Sequence, residues 1–187
     1  MARIFPFFLL TMTFAVNGAE LKDMNGKTRK PLDSKGHKAS ALFFITHDCP
    51  VANKMAPEIN RIVKKYAKEV KFTLVYTDPE MTRAEALEHM KSYGYEGQVA
   101  IHDREHQLVR ATSATITPET AVLTDKKRVV YLGRINNFYA DFGKPRRVVT
   151  QHELRDALDA VLAGKKVVRS RIEAVGCFIT PLDKIKN

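Results

Sequence analysis

The run Ala-Ser-Ala-Leu-Phe-Phe-Ile-Thr at 39–46 is continuous and apolar, and it stops abruptly at His47-Asp48-Cys49-Pro50. A stretch this short and this apolar reads as a strand buried on both faces, as in the middle of a parallel sheet. Directly behind it Val51, Met55, Ile59, Ile62, Val63 and Tyr66 recur at spacings of three and four. Lys54, Arg61, Lys64, Lys65 and Lys68 take the opposite side, which is the pattern of an amphipathic helix. A buried strand that feeds straight into a helix through Cys-Pro leaves few architectures open, because the helix must pack back on the sheet that the strand belongs to.

The rest of the chain continues in the same manner. Val70 to Tyr76 reads as a second strand. Thr82 to Tyr93 reads as a helix, with Thr82 and Glu85 spaced as a capping box and Gly94 as its stop. Val99-Ala100-Ile101 is a short strand and His106 to Ala114 a short helix. Thr117-Pro118 opens a strand over Glu119–Leu123, a turn follows at 125–128, and Val129–Ile135 returns as the antiparallel partner. Residues 136–149 read as a long loop, and a last helix begins at Thr150 or Gln151, with Leu154, Ala157, Leu158, Val161 and Leu162 at helical spacing. The first half therefore predicts a right-handed parallel crossover and the second half an antiparallel pair. Together they predict an α/β fold, a mixed central sheet flanked by helices on both faces.

Composition bounds the compartment. Residues 1–19 have Arg3 as a positive start, an apolar run over Ile4–Val16, and the small residues Asn17-Gly18-Ala19 before charge begins at Glu20. This is the layout of a signal peptide, and the apolar run is about 13 residues, short for a bilayer span. An uncleaved N-terminal anchor is the alternative. A domain over 20–165 follows, then a basic tail over 166–187 that carries Cys177. The net charge of +10 admits an anionic surface or an acidic partner. Nucleic acid is not implied, because the lysines and arginines are spread along the chain without interleaved aromatics.

Cys49 lies between a buried strand and a helix, where unpaired amide donors and the helix dipole favour an exposed, reactive thiolate. His47, when protonated, adds to this and Asp48 opposes it. Pro50 suits the first helical position, which needs no donor. The only other cysteine is Cys177, and spacing alone leaves open a disulfide with Cys49, a bridge to another chain, or two free thiols.

The segments Phe43-Phe44-Ile45-Thr46-His47-Asp48-Cys49-Pro50, Thr117-Pro118-Glu119 and Tyr131-Leu132-Gly133-Arg134-Ile135, in this order, resemble the thioredoxin superfamily. Within it they are closest to redoxins of the alkyl hydroperoxide reductase and thiol-specific antioxidant group and to exported thioredoxin-like proteins. The resemblance implies a thioredoxin-like fold and a nucleophilic Cys49. It also implies a cis Pro118 beside that cysteine, with backbone there able to pair with an extended partner. Thr46 and Cys49 keep the Thr-x-x-Cys part of the peroxiredoxin motif, but Leu42 stands where its proline belongs. Pro118 occupies the region of the peroxide-activating arginine, for which Arg134 is the nearest substitute. Ala52 stands where thioredoxins carry their second cysteine, so Cys177 is the one resolving partner the chain offers.

The implied activity is thiol–disulfide oxidoreduction or peroxiredoxin-like antioxidant chemistry on protein or small-molecule thiols, disulfides or peroxides. Cys49, Cys177, Thr46 and Pro118 form the site, and no organic cofactor is implied. A non-catalytic binding module and a copper-handling protein using Cys49 with His47 are the alternatives. His102 and His106 lack the compact ligand set that a metal site requires, so no metal is assigned.

Overall fold

The computed structural model describes residues 19–184. The signal peptide expected over 1–19 lies outside the described residues except for Ala19. No described helix is long and apolar enough to cross a membrane.

The strand expected at 39–46 is β1, Ala39–Ile45, and every residue of it is buried. It leads into α1, Pro50–Tyr66, then β2, Val70–Tyr76, and α2, Arg83–Ser92. Next come β3, Ala100–His102, α3, Gln107–Thr112, and β4, Ile116–Thr117. The hairpin is β5, Glu119–Thr124, with β6, Val129–Gly133. The chain ends with α4, Glu153–Leu162, β7, Arg171–Ile172, and β8, Cys177–Phe178. The main sheet has six strands in the order β7-β6-β5-β1-β2-β3. β1 pairs parallel with β2 and antiparallel with β5, so the sheet is mixed.

Alternation along β1 divides the core. Ala39, Ala41, Phe43 and Ile45 face the layer made by α1, α2 and α4, packing with Ile59, Ile62, Leu154 and Leu158. Leu42 and Phe44 face the other side, with Leu108 of α3, Leu32 and Ile179. Burying both faces in this way is what a parallel crossover requires.

Thr82 caps α2 as the spacing predicts. Its side chain accepts from the Glu85 amide while Glu85 accepts from the Thr82 amide at 2.7 Å. The last helix starts later than expected, at Glu153. The Asn137 side chain accepts from the Thr150 and Gln151 amides at 3.0 and 3.1 Å, which ties both residues to the preceding loop. That loop is not structureless either, because Tyr139–Asp141 pairs with Lys144–Pro145.

Residues 166–184, read from the sequence as a basic tail that could fold back over the sheet, do so in the structure. Arg171–Ile172 extends the main sheet in parallel with Leu132–Gly133, and Cys177–Phe178 pairs antiparallel with Ile116–Thr117. Gly133 lies against the Ile172 backbone so closely that a Cβ would overlap the Ile172 carbonyl oxygen. Gly133→Ala is therefore expected to cost about 1–3 kcal/mol by forcing β7 off its neighbour. Urea unfolding checks this, and an unchanged midpoint would contradict the account.

Candidate functional site

Cys49 is the residue immediately before α1, with extended backbone at φ −75° and ψ 111° and Pro50 at the first helical turn. β1 delivers it to the end of the sheet, and the cap geometry turns the chain into the helix. The peptide bond Thr117-Pro118 is cis, and the Thr117 carbonyl accepts from the Cys49 thiol at 3.2 Å. The Cys177 sulfur lies 2.7 Å from that of Cys49, across 128 positions of sequence. Both cysteines are free thiols. Three of the residues assigned to the site therefore meet at one point. Thr46 lies half-buried at the end of β1, and among the described residues it makes no hydrogen bond to the Cys49 sulfur.

Two expectations need correction. Cys49 is not exposed: its relative exposure is 1%, because the segment 174–179 lies over it. The backbone of Thr117 is not open to a partner strand, since Cys177 already stands opposite Thr117 in register. The Thr117 hydroxyl also donates to the Cys177 carbonyl at 3.3 Å. Gly176 permits the approach, because a Cβ there would overlap the Thr117 carbonyl oxygen. Sequence reading gave Gly176 no role; only glycine tolerates so close a backbone contact.

The electrostatics of the pair are asymmetric. Burial, the adjoining Cys49 sulfur and the Asp48 carboxylate push the Cys177 thiol up to about 12. It keeps its proton near neutrality and donates it toward Cys49. His47 is directed to the Asp78 carboxylate, 3.8 Å away.

The loop before Cys49 is held by residues outside the sequence-assigned set. Asn53, one turn into α1, donates from Nδ2 to the His47 carbonyl at 2.9 Å. Its Oδ1 lies 2.8 Å from His89 Nε2, and His89 Nδ1 lies 2.8 Å from the Tyr76 hydroxyl. Only the i+4 position of Asn53 relative to Cys49 hints at this in the sequence.

Arg134 does not take the place of a peroxide-activating arginine at the sulfur. It lines the cleft beside Pro118, Val51 and Met55, but its guanidinium is engaged by the Glu153 and Gln151 side chains. His102 and His106 donate from Nε2 to the carbonyls of Asp78 and Thr77, both at 2.7 Å. Among the described residues no cluster of three or more His, Cys, Asp or Glu side chains is arranged to hold a metal ion.

The Redoxin family model matches residues 12–138, a span that includes Cys49 and Pro118 and stops before Cys177. No curated protein matches the chain. A hypothetical protein from Sinorhizobium meliloti 1021 is similar at 26% identity, covering 87% of this chain and 91% of its own, with a TM-score of 0.74. An uncharacterized conserved protein from Geobacillus kaustophilus is 24% identical over 87% of each chain, again with a TM-score of 0.74. A secreted Mycobacterium tuberculosis disulfide oxidoreductase shares the fold at 13% identity, with 79% and 96% coverage and a TM-score of 0.55.

Proposed function

The chain belongs to the redoxin family, and from that membership we propose that it is an exported thiol-dependent oxidoreductase whose redox-active pair is Cys49 and Cys177. One observation carries the reading: two sulfurs from opposite ends of the chain stand 2.7 Å apart at the head of α1, beside a cis Thr117-Pro118 bond. Closing a disulfide between them needs only a small adjustment of the side chains, since a bonded pair lies about 2.05 Å apart. The pair gives up two electrons and two protons as a substrate disulfide becomes two thiols. With a hydroperoxide the products are an alcohol and water.

Disulfide exchange fits this site better than peroxide reduction. Pro118 stands in the region where peroxiredoxins carry their arginine, and Arg134 is held by Glu153. Among the described residues, neither position aims a guanidinium at a peroxide oxygen over Cys49. The leader over 1–19 supports export, a compartment where a disulfide persists. The fold shared with a secreted mycobacterial disulfide oxidoreductase is consistent with that compartment. The net charge of +10, one of which is Arg3 in the expected leader, supports contact with anionic surfaces there.

The test is to equilibrate the reduced protein with an excess of small-molecule disulfide, or with hydrogen peroxide, and to follow its intact mass and the rate. The expected product lacks two hydrogens, carries a Cys49–Cys177 cross-link in its peptide map, and forms faster with the disulfide. Two persistent free thiols under excess disulfide would sink the redox-pair reading. Faster closure with peroxide would reverse the choice of substrate.

A further inference from the structure

Cys49 and Cys177 are not equivalent toward solvent. Cys49 is 1% exposed, whereas Cys177 is half-buried and lies on the outer side of the pair. The cover over Cys49 is anchored along its length. Ala174 and Ile179 are buried at 6% and 8%, and Ile179 packs with Leu42, Phe44 and Leu108 in the second core layer. The Ile179 amide donates to the Thr115 carbonyl at 2.9 Å. Cys177 and Phe178 pair with Thr117 and Ile116, and Gly176 packs directly on the Thr117-Pro118 backbone. The segment 174–179 thus fills the edge on which an added strand would have to pair. Cys177 itself lies outside the segment that the family model covers.

We propose that Cys177 is the sulfur that exchanges with the outside partner, that Cys49 is the internal one, and that the partner is a low-molecular-weight thiol or disulfide rather than an extended polypeptide. This rests on the reading of Cys49 and Cys177 as one redox pair.

In the oxidised protein an external thiolate attacks the Cys177 sulfur. A bond from the external sulfur to Cys177 forms, the Cys49–Cys177 bond breaks, and its electron pair leaves on Cys49. That sulfur, on the residue just before α1, takes up a proton. A second external thiolate then attacks the partner's sulfur in the mixed disulfide and releases Cys177, which takes up a proton. The balance is two external thiols converted to one disulfide and one protein disulfide converted to two thiols. Exchange proceeds at the sulfur an outside partner can reach. In the opposite direction it is Cys49 that attacks Cys177 within the mixed disulfide.

The test uses the purified full chain in its oxidised state, treated with glutathione, quenched with acid, alkylated and peptide-mapped. Glutathione is expected on the Cys177 peptide and none on Cys49, and in Cys49→Ser treated with oxidised glutathione the adduct on Cys177 accumulates. In Cys177→Ser the segment keeps its backbone pairing, so Cys49 resists alkylation. Adding Gly176→Ala to that variant lifts the segment and raises Cys49 alkylation. An unfolded cysteine-containing peptide should exchange more slowly per thiol than glutathione with the oxidised wild type.

A glutathione adduct on Cys49, free alkylation of Cys49 in Cys177→Ser, or a peptide that matches glutathione would overturn the assignment while leaving the redox pair intact. Failure to form the internal disulfide at all would overturn the pair itself.

Discussion

Turnover of a small-molecule disulfide falls to background in Cys49→Ser and equally in Cys177→Ser, and the double variant is no slower than either single one. Residues that act as one unit lose the whole effect when either is removed, so their losses do not add. The geometry demands that behaviour. Ala52 stands where a local second thiol would be, and the sulfur that meets Cys49 is Cys177, at 2.7 Å. An enzyme that kept most of its rate without Cys177 would be a single-thiol catalyst resolved by its substrate, and the paired mechanism would fail. The loss should leave the reduced fold in place. The segment around Cys177 is seated by backbone pairing with Thr117 and by the buried Ile179 side chain, neither of which needs the sulfur. Steady-state rates together with urea midpoints of the three variants separate lost chemistry from lost structure. Arg134→Ala is the contrasting control. Its guanidinium is engaged by Glu153 and Gln151, so its removal costs stability before it touches the sulfurs.

The parts of this molecule that were legible in the sequence are those specified by neighbours in the chain. The strand at 39–45, the turn at Cys49-Pro50 and the helix behind it follow from a change of apolar period at one point. The Thr82 and Glu85 pair announced the start of α2 because both halves of a capping box lie within one turn. Thr117-Pro118 was placeable because it precedes an obvious hairpin. What escaped was set by contacts distant in sequence. The start of α4 is decided by Asn137, whose carboxamide takes up the Thr150 and Gln151 amides. The seating of residues 166–184 is decided by two glycines, Gly133 and Gly176, each with foreign backbone where a Cβ would stand. A glycine in a polar segment carries no mark of which backbone approaches it, so a strand bearing the second cysteine read as a tail. The same gap made Cys49 look exposed.

Stability falls by about 3 kcal/mol as pH drops from 6.5 to about 4, and His89→Gln removes that slope. Asn53 donates from Nδ2 to the His47 carbonyl, so its Oδ1 is the acceptor, and His89 must carry its proton on Nε2. The bare Nδ1 then accepts from the Tyr76 hydroxyl. The ring is buried among Tyr76, Tyr93 and Tyr95. Burial, and then the nearby His47, push it down to about 4 from its ordinary 6.5. Since the folded pKa is depressed, the unfolded chain binds the proton first. The contribution is complete above pH 6.5 and is lost as pH falls through that window. Each pKa unit is worth about 1.4 kcal/mol, which sets the size of the effect. A protonated ring cannot accept from Tyr76, so acid removes the Tyr76 end of the network that runs through Asn53 to the loop carrying Cys49. The acid limit of the fold and the seating of the loop that carries Cys49 thus share one side chain. Urea midpoints of wild type and His89→Gln at several pH values should converge on the acid side. Parallel curves would show that His89 does not set the slope.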